Sequence, residues 1–291
     1  MKIFKIICIN LLVLLIFFAI FELILVRGYK KENPDDVYHI GRIAYKSLLS
    51  PDKFRKPEGL NYTKRPILLF GCSFAYGQGL EDKDTFGYKL SQFAKRPVYN
   101  YSMFGKGFQH ALYVLRHNYI DKSVKNPEYA IYVFIEDQIR RIYSNVCMGD
   151  FVGQPSYALD GALNLYETKD YYPIYRQFYT FYYVNNLIYE KFLKHDYRRH
   201  NRYVNAYLNQ IYRELKRRYP DIKFVVLLYG GKDNFGLDFY GLNEQIILLN
   251  TDELVEKNLY DPEYQISSTN THPNGLAWDL VVPKLASELN L

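Results

Sequence analysis

The 291-residue chain reads as an α/β protein, in which helices cover both faces of a central, mostly parallel sheet of about five strands, preceded by one apolar N-terminal helix. Three observations predict this three-layer α/β/α arrangement. Short apolar runs alternate with segments of helical period. One of these runs, Ile67 to Phe70, ends at Gly71 and presents Ser73 where a strand passes into a helix. A third signal is the almost unbroken apolar stretch from Ile6 to Val26.

That stretch has Asn10 and Glu22 as its only strongly polar members. At about 1.5 Å per residue it spans roughly 30 Å, enough for one bilayer core. Residues 1–26 are therefore expected to be a transmembrane signal anchor. A cleaved signal peptide would have a shorter apolar core followed by small residues, and the run Phe21 to Arg27 offers no such site. Lys2, Lys5 and the amino terminus face Arg27, Lys30 and Lys31 across the span, so the basic residues choose no side. Cys8 lies in the span, leaving Cys72 and Cys147 as the other cysteines; a disulfide between them is conceivable, but no framework is implied.

Residues 27–65 read as a polar linker with a short helical piece around Val37 to Leu49, bounded by Pro34 and Pro51. Residues 66–291 form one domain. Strand 1 is Ile67 to Phe70, and Asp84 caps a helix through about Phe93. Pro97 to Tyr101 is strand 2, and Phe108, Ala111, Leu112, Leu115 and Tyr119 recur at helical spacing. Tyr129 to Ile135 is strand 3. Residues 145–190 carry mixed aromatics without a clear period and read as an insertion placed to cover the site. Val204, Leu208, Ile211 and Leu215 mark a helix ending before Pro220, Lys223 to Tyr229 is strand 4, and Gln245 to Leu249 is strand 5. Gly275 to Leu289 is the terminal helix, kinked or interrupted at Pro283.

Composition removes several classes. A formal charge of +6 is modest, and the basic cluster Lys194 to Arg202 reads as a solvated loop and helix start, so nucleic acid is not an expected partner. His110 and His117 lie near one helix face without Cys, Asp or Glu at ligand spacing, so no metal is expected. Gly77-Gln78-Gly79 and Gly105-Lys106-Gly107 match neither phosphate-loop pattern, so no cofactor is expected. Adjacent Glu136 and Asp137 point apart at a strand end, which disfavours a glycosidase pair. The 31 tyrosines could line a carbohydrate cleft or reflect compositional bias alone.

What remains is a serine early in the domain and a histidine, His272, in the polar loop Thr269 to Gly275 before the last helix. The pairing suggests nucleophilic catalysis, with Ser73 attacking and His272 as general base. Alternatively, Gly71 serves a turn and Ser73 caps a helix. The run is not the Gly-x-Ser-x-Gly elbow, because Ala75 stands at its second glycine.

ILLFGCSFAYGQGL followed by EDKDTFGYKLSQF resembles the first block of the SGNH, or GDSL-type, hydrolase superfamily, in the form of its bacterial membrane-anchored branch. VYNYSMFGKG, with Asn100, Gly105 and Gly107, is similar to the second block, and His272-Pro273-Asn274-Gly275 to the last. The resemblance implies an SGNH, flavodoxin-like sheet, Ser73 as nucleophile and His272 as base. It also implies an extracytoplasmic domain acting on ester-linked acyl groups of a cell-envelope glycan or another small ester, as esterase or O-acyltransferase. The amides of Ser73 and Gly105 would hold the oxyanion, since glycine permits close backbone approach.

Three positions depart from the pattern. Cys72 replaces the aspartate before the serine, Glu136 stands where an asparagine is expected, and Thr269 holds the place of the acid that precedes the histidine. A carboxylate cannot donate to an oxyanion unless protonated. Gln138, two positions later, is the candidate third donor, and Thr269, Asp137 or a backbone carbonyl would orient His272. The same losses leave open a second reading, a catalytically degenerate envelope glycan-binding or scaffolding module.

Overall fold

The computed structural model describes residues 2–32, 62, 64–142, 156–160, 162, 164–168, 184, 187–231 and 235–291. The helical piece expected around Val37 to Leu49, and Cys147, lie outside these. Five parallel strands make the central sheet: β1 (Ile67–Phe70), β2 (Val98–Asn100), β3 (Tyr129–Phe134), β6 (Lys223–Leu228) and β7 (Ile246–Asn250). Their spatial order is β2-β1-β3-β6-β7, with β1 between β2 and β3 in register Leu68↔Tyr99 and Leu68↔Ala130. All five expected strands are present, each within about two residues of its expected ends.

Strand period two sorts the sheet residues onto two faces. Leu68, Phe70, Ala130, Tyr132, Phe224 and Val226 pack with α4 (Phe108–Arg116) and α6 (Tyr197–Arg218). Ile67, Leu69, Ile131, Val133, Val225 and Leu227 pack on the other face with α3 (Phe86–Ala94) and α8 (Gly275–Leu289). Both faces are covered, which is why β1 and β3 are apolar throughout. Thr85 rather than Asp84 caps α3, its hydroxyl accepting from the Tyr88 amide at 3.3 Å. Helix α8 runs unbroken through Pro283.

Trp278 of α8 is fully buried, with ring centroids 4.8 Å from Phe86 and 5.4 Å from Tyr229. It joins α8 to α3 and to the end of β6. Trp278→Ala should cost about 3–5 kcal/mol, read as a lower urea midpoint with an unchanged slope.

The region read as an insertion contains an antiparallel hairpin, β4 (Ser156–Leu159) and β5 (Leu165–Thr168). It packs on the α4 and α6 layer, where Arg116 donates to the Leu165 carbonyl at 2.9 Å and Tyr157 meets Tyr207 edge-on. The described part therefore covers helices rather than the strand ends where Ser73 lies. The N-terminal apolar run is helical, as α1 (Lys2–Glu32), with exposed side chains including Leu11, Leu14, Phe17 and Leu23. The apolar run is only part of this helix, which continues through Arg27, Lys30 and Lys31. Among the described residues no helix is long and apolar enough to cross a membrane, which differs from the expected span over residues 1–26.

Candidate active site

The chain leaves β1 for β2 on one side and β3 on the other, so the topological switch point lies between β1 and β3. Crevices at the carboxyl ends of such strands are where open parallel sheets hold ligands. Gly71, directly after β1, has φ of +151°. A Cβ there would lie 2.8 Å from the Ala75 Cβ and 3.0 Å from the Val133 carbonyl, so only glycine lets the following turn fold back against β3. Cys72 then opens the single-turn helix α2 (Ser73–Tyr76), placing Ser73 at its first position. Ser73 is 5% exposed. It is Cys72, not Ser73, that occupies the cap position, and no side chain caps the turn. The alternative reading of Ser73 as a helix cap is therefore not what the structure has.

His272 lies in β9 (Asn270–Pro273), paired antiparallel with β8 (Gln265–Ser267), rather than in an open loop. Its ring is 5.1 Å from the ring of Phe74, the residue after Ser73, so the serine turn and the histidine strand meet. Among the described residues no hydrogen bond joins the Ser73 hydroxyl to His272. Asn274 holds the histidine strand in place. Its Oδ1 caps α8 by accepting from the Ala277 amide at 3.2 Å, and its Nδ2 donates to the carbonyls of Glu263 and Gln265 at 2.7 and 2.9 Å.

The group that orients His272 is Asn270. Neither Thr269 nor Asp137 does so: the Thr269 hydroxyl pairs with Ser267 at 3.2 Å, and the Asp137 carboxylate binds Arg140 and Arg141. Asn270 Oδ1 lies 2.7 Å from His272 Nδ1 and also accepts the His272 backbone N–H at 3.2 Å. An amide N–H can only donate, so the atom it meets must be the side-chain oxygen. Nδ1 therefore carries the proton, and Nε2 keeps its lone pair. Burial, with a smaller contribution from the Arg141 charge, holds the His272 pKa below the usual imidazole value. The ring is thus neutral at pH 7 and has a basic nitrogen.

Gln138 does not reach the site as a donor. It is fully buried in α5 (Asp137–Ile142), where Tyr132 donates to its Oε1 at 2.7 Å and its Nε2 donates to the Val133 carbonyl at 3.2 Å. Both halves of the amide are committed to the core. Gly105 lies in the turn after β2 with φ of +66°. Asn100, at the end of β2, donates to the Ala75 carbonyl at 2.8 Å and accepts from the Ser102 amide at 3.0 Å, tying that strand end to the serine turn. Glu136 has an exposed side chain, and partial desolvation at its carboxyl, with the neighbouring Asp137 charge, pushes the pKa up.

Sequence reading missed Arg141, which stands one helical turn after Asp137 and binds it. It also missed Tyr260, whose hydroxyl donates to the Tyr229 carbonyl at 3.2 Å while Tyr229 packs edge-on to Phe74 at 5.1 Å. Cys72 is a free, buried thiol.

The two histidines weighed for a metal have other partners. His117 pairs with Glu167 at 2.8 Å, and buried His110 bonds the Tyr101 carbonyl at 2.8 Å. Burial lowers the His110 pKa to about 4, with nearby Lys106 adding to the effect. Its folded value lies below its unfolded one, so between about pH 6.5 and 4 only the unfolded chain takes up the proton. Stability should therefore fall by roughly 3 kcal/mol as pH drops through that window, and His110→Gln should flatten the decline in melting temperature.

No family model matches the chain, and no curated protein matches it in sequence. Among solved structures it is similar to the acetyl xylan esterase Est2A from the rumen bacterium Butyrivibrio proteoclasticus, at 12% identity and a TM-score of 0.45, over 79% of this chain. The chain spans 64% of that esterase's length. It is also similar to the lipase Lip_vut3 from a goat rumen metagenome, at 12% identity and a TM-score of 0.47, over 77% of this chain and 97% of that one. A third likeness is to a putative lipolytic protein of the G-D-S-L family from Desulfitobacterium hafniense, at 12% identity and a TM-score of 0.42, over 77% and 99%. At these values the likenesses carry no argument about activity, which rests on this chain's own site.

Proposed function

We propose that the chain is a serine ester hydrolase or O-acyltransferase of the SGNH, GDSL type. The observation that carries the reading is the His272 ring, packed on the serine turn through Phe74, with Nδ1–H held by Asn270 and Nε2 left basic. Ser73 Oγ would attack the ester carbonyl while His272 Nε2 takes its proton. The amides of Ser73 and Gly105 would donate to the oxyanion that forms. Collapse of the tetrahedral adduct sends the proton from Nε2 to the departing alkoxide. Water, or the hydroxyl of an acceptor, then releases the acyl group by the same steps in reverse. A Ser73–His272 hydrogen bond that tightens only around substrate fits this scheme, since catalytic contacts are often long in the free enzyme.

The substrate class is an ester-linked acyl group on a cell-envelope glycan or a related small ester. Support comes from the resemblance of the three sequence blocks and from the N-terminal run Ile6 to Val26, which we take as an uncleaved anchor with the domain outside the cytoplasm. Protease added to intact cells should then remove the domain and leave the anchor; protection until lysis would contradict the topology. Hydrolysis of short aryl acetates and of acetylated oligosaccharides by the full chain in detergent tests the activity. Turnover of either class supports the reading, and inertness toward both favours a binding module instead.

A further inference from the structure

Arg141 is nearly buried, its side chain 8% exposed, and its guanidinium reaches segments that follow three adjacent strands. After β3, Nε and Nη2 donate to Asp137 Oδ2 at 2.9 and 2.5 Å. After β2, Nη1 donates to the Lys106 carbonyl at 2.7 Å, in the turn that contains Gly105. After β1, the guanidinium charge lies close enough to interact with Cys72, the residue before Ser73. Its backbone is fixed as well, because Gln109 Nε2 donates to the Arg141 carbonyl at 2.6 Å. One rigid fork thus spans the serine turn, the Gly105 turn and the start of α5.

Resting on the reading of Ser73 and His272 as the reactive pair, we infer that Arg141 is a positioning residue, which fastens the nucleophile turn and the Gly105 turn together and fixes a positive charge beside them. Asp137 is its salt-bridge partner, so the residue considered as the histidine's orienting acid belongs to Arg141 instead. Around these strand ends the titratable groups include Cys72 after β1, Lys106 after β2, Glu136, Asp137, Arg140 and Arg141 after β3, Tyr229 after β6 and Tyr260 beyond β7. Of these, Arg141 is the one whose charge reaches His272, favouring its neutral form. Loss of that charge should make the imidazole easier to protonate.

The test compares Arg141→Lys and Arg141→Gln in the full chain, using a short acyl ester and following kcat, KM and the acid limb of kcat/KM. Both variants should lower kcat by about 10²-fold with KM within about threefold, the scale on which small misplacements act. In Arg141→Gln the acid limb should also move to higher pH, whereas Arg141→Lys keeps the charge and should hold the limb near its original position. A purely structural residue would lower the melting temperature and the active fraction without moving the limb. If Arg141→Gln does not fold, Arg141→Lys decides: kcat retained within threefold overturns the inference. Folded variants that keep both kcat and the limb overturn it as well. Ser73→Ala separates the two claims, because activity surviving that change refutes the reactive pair itself and not merely the role of Arg141.

Discussion

Ser73→Ala should abolish ester hydrolysis, lowering kcat by at least about three orders of magnitude while leaving the fold intact. The side chain lost is one hydroxyl at the first position of a single-turn helix, and no cap depends on it. Circular dichroism and melting temperature should therefore match those of the parent. His272→Ala should cause a loss of the same order, and the double variant should be little worse than either single one, because the two groups act as a unit. Additive losses would mean that the two side chains work independently. Equal turnover by all three variants and the parent would place the chemistry elsewhere in the chain.

The second large effect is expected at Asn270. Asn270→Ala removes the acceptor that selects the Nδ1–H tautomer and leaves the His272 backbone N–H without its partner. Loss of the correct tautomer costs up to about four orders of magnitude in serine protease triads; here a fall of about 10²–10³ in kcat is expected, since the strand pairing and the Phe74 contact still hold the ring. Asn270→Asp should behave differently. A carboxylate accepts both bonds and favours the imidazolium, so kcat should stay within about tenfold and the acid limb of kcat/KM should move to higher pH. An Asn270→Ala enzyme with parental kcat would show that the ring needs no orienting partner.

Strand periodicity explains why Asn270 was hidden. Counting from the family pattern points to the residue three before the histidine, which is Thr269. Once the segment is extended, side chains two apart share a face, and Asn270 and His272 are both half-buried while Thr271 between them is exposed. In Asn-Thr-His-Pro only Thr271 favours a strand by propensity; β9 exists because it pairs with the three-residue β8. Gln138 misled for a related reason. The apolar run ends at Ile135, but the chain turns at once into α5, which carries Gln138 back beneath β3 to the Tyr132 hydroxyl.

The sheet was easier to read. The inner strands β1 and β3 lie between two helical layers and are apolar at every position, a pattern that needs no partner to be recognised. The apolar positions that mark α6 start at Val204, yet the helix begins at Tyr197 with Asp196 accepting from the Arg199 amide. Its first turn is basic, and His200 is the only buried residue before Val204, so the apolar stripe starts a turn late. Arg141 carried a signal in the sequence: an acid and a base four apart in a segment that also holds the helix formers Gln138 and Arg140.

The central claim is that Ser73 is a nucleophile made reactive by His272. An alkyl fluorophosphonate reacts with such a serine by forming a P–O bond to Oγ and expelling fluoride, and peptide mass spectrometry locates the adduct. The account predicts a single modified serine, Ser73, with labelling lost in His272→Ala and much slowed in Asn270→Ala. Labelling at another residue, or none at Ser73 in the folded parent protein, would contradict it.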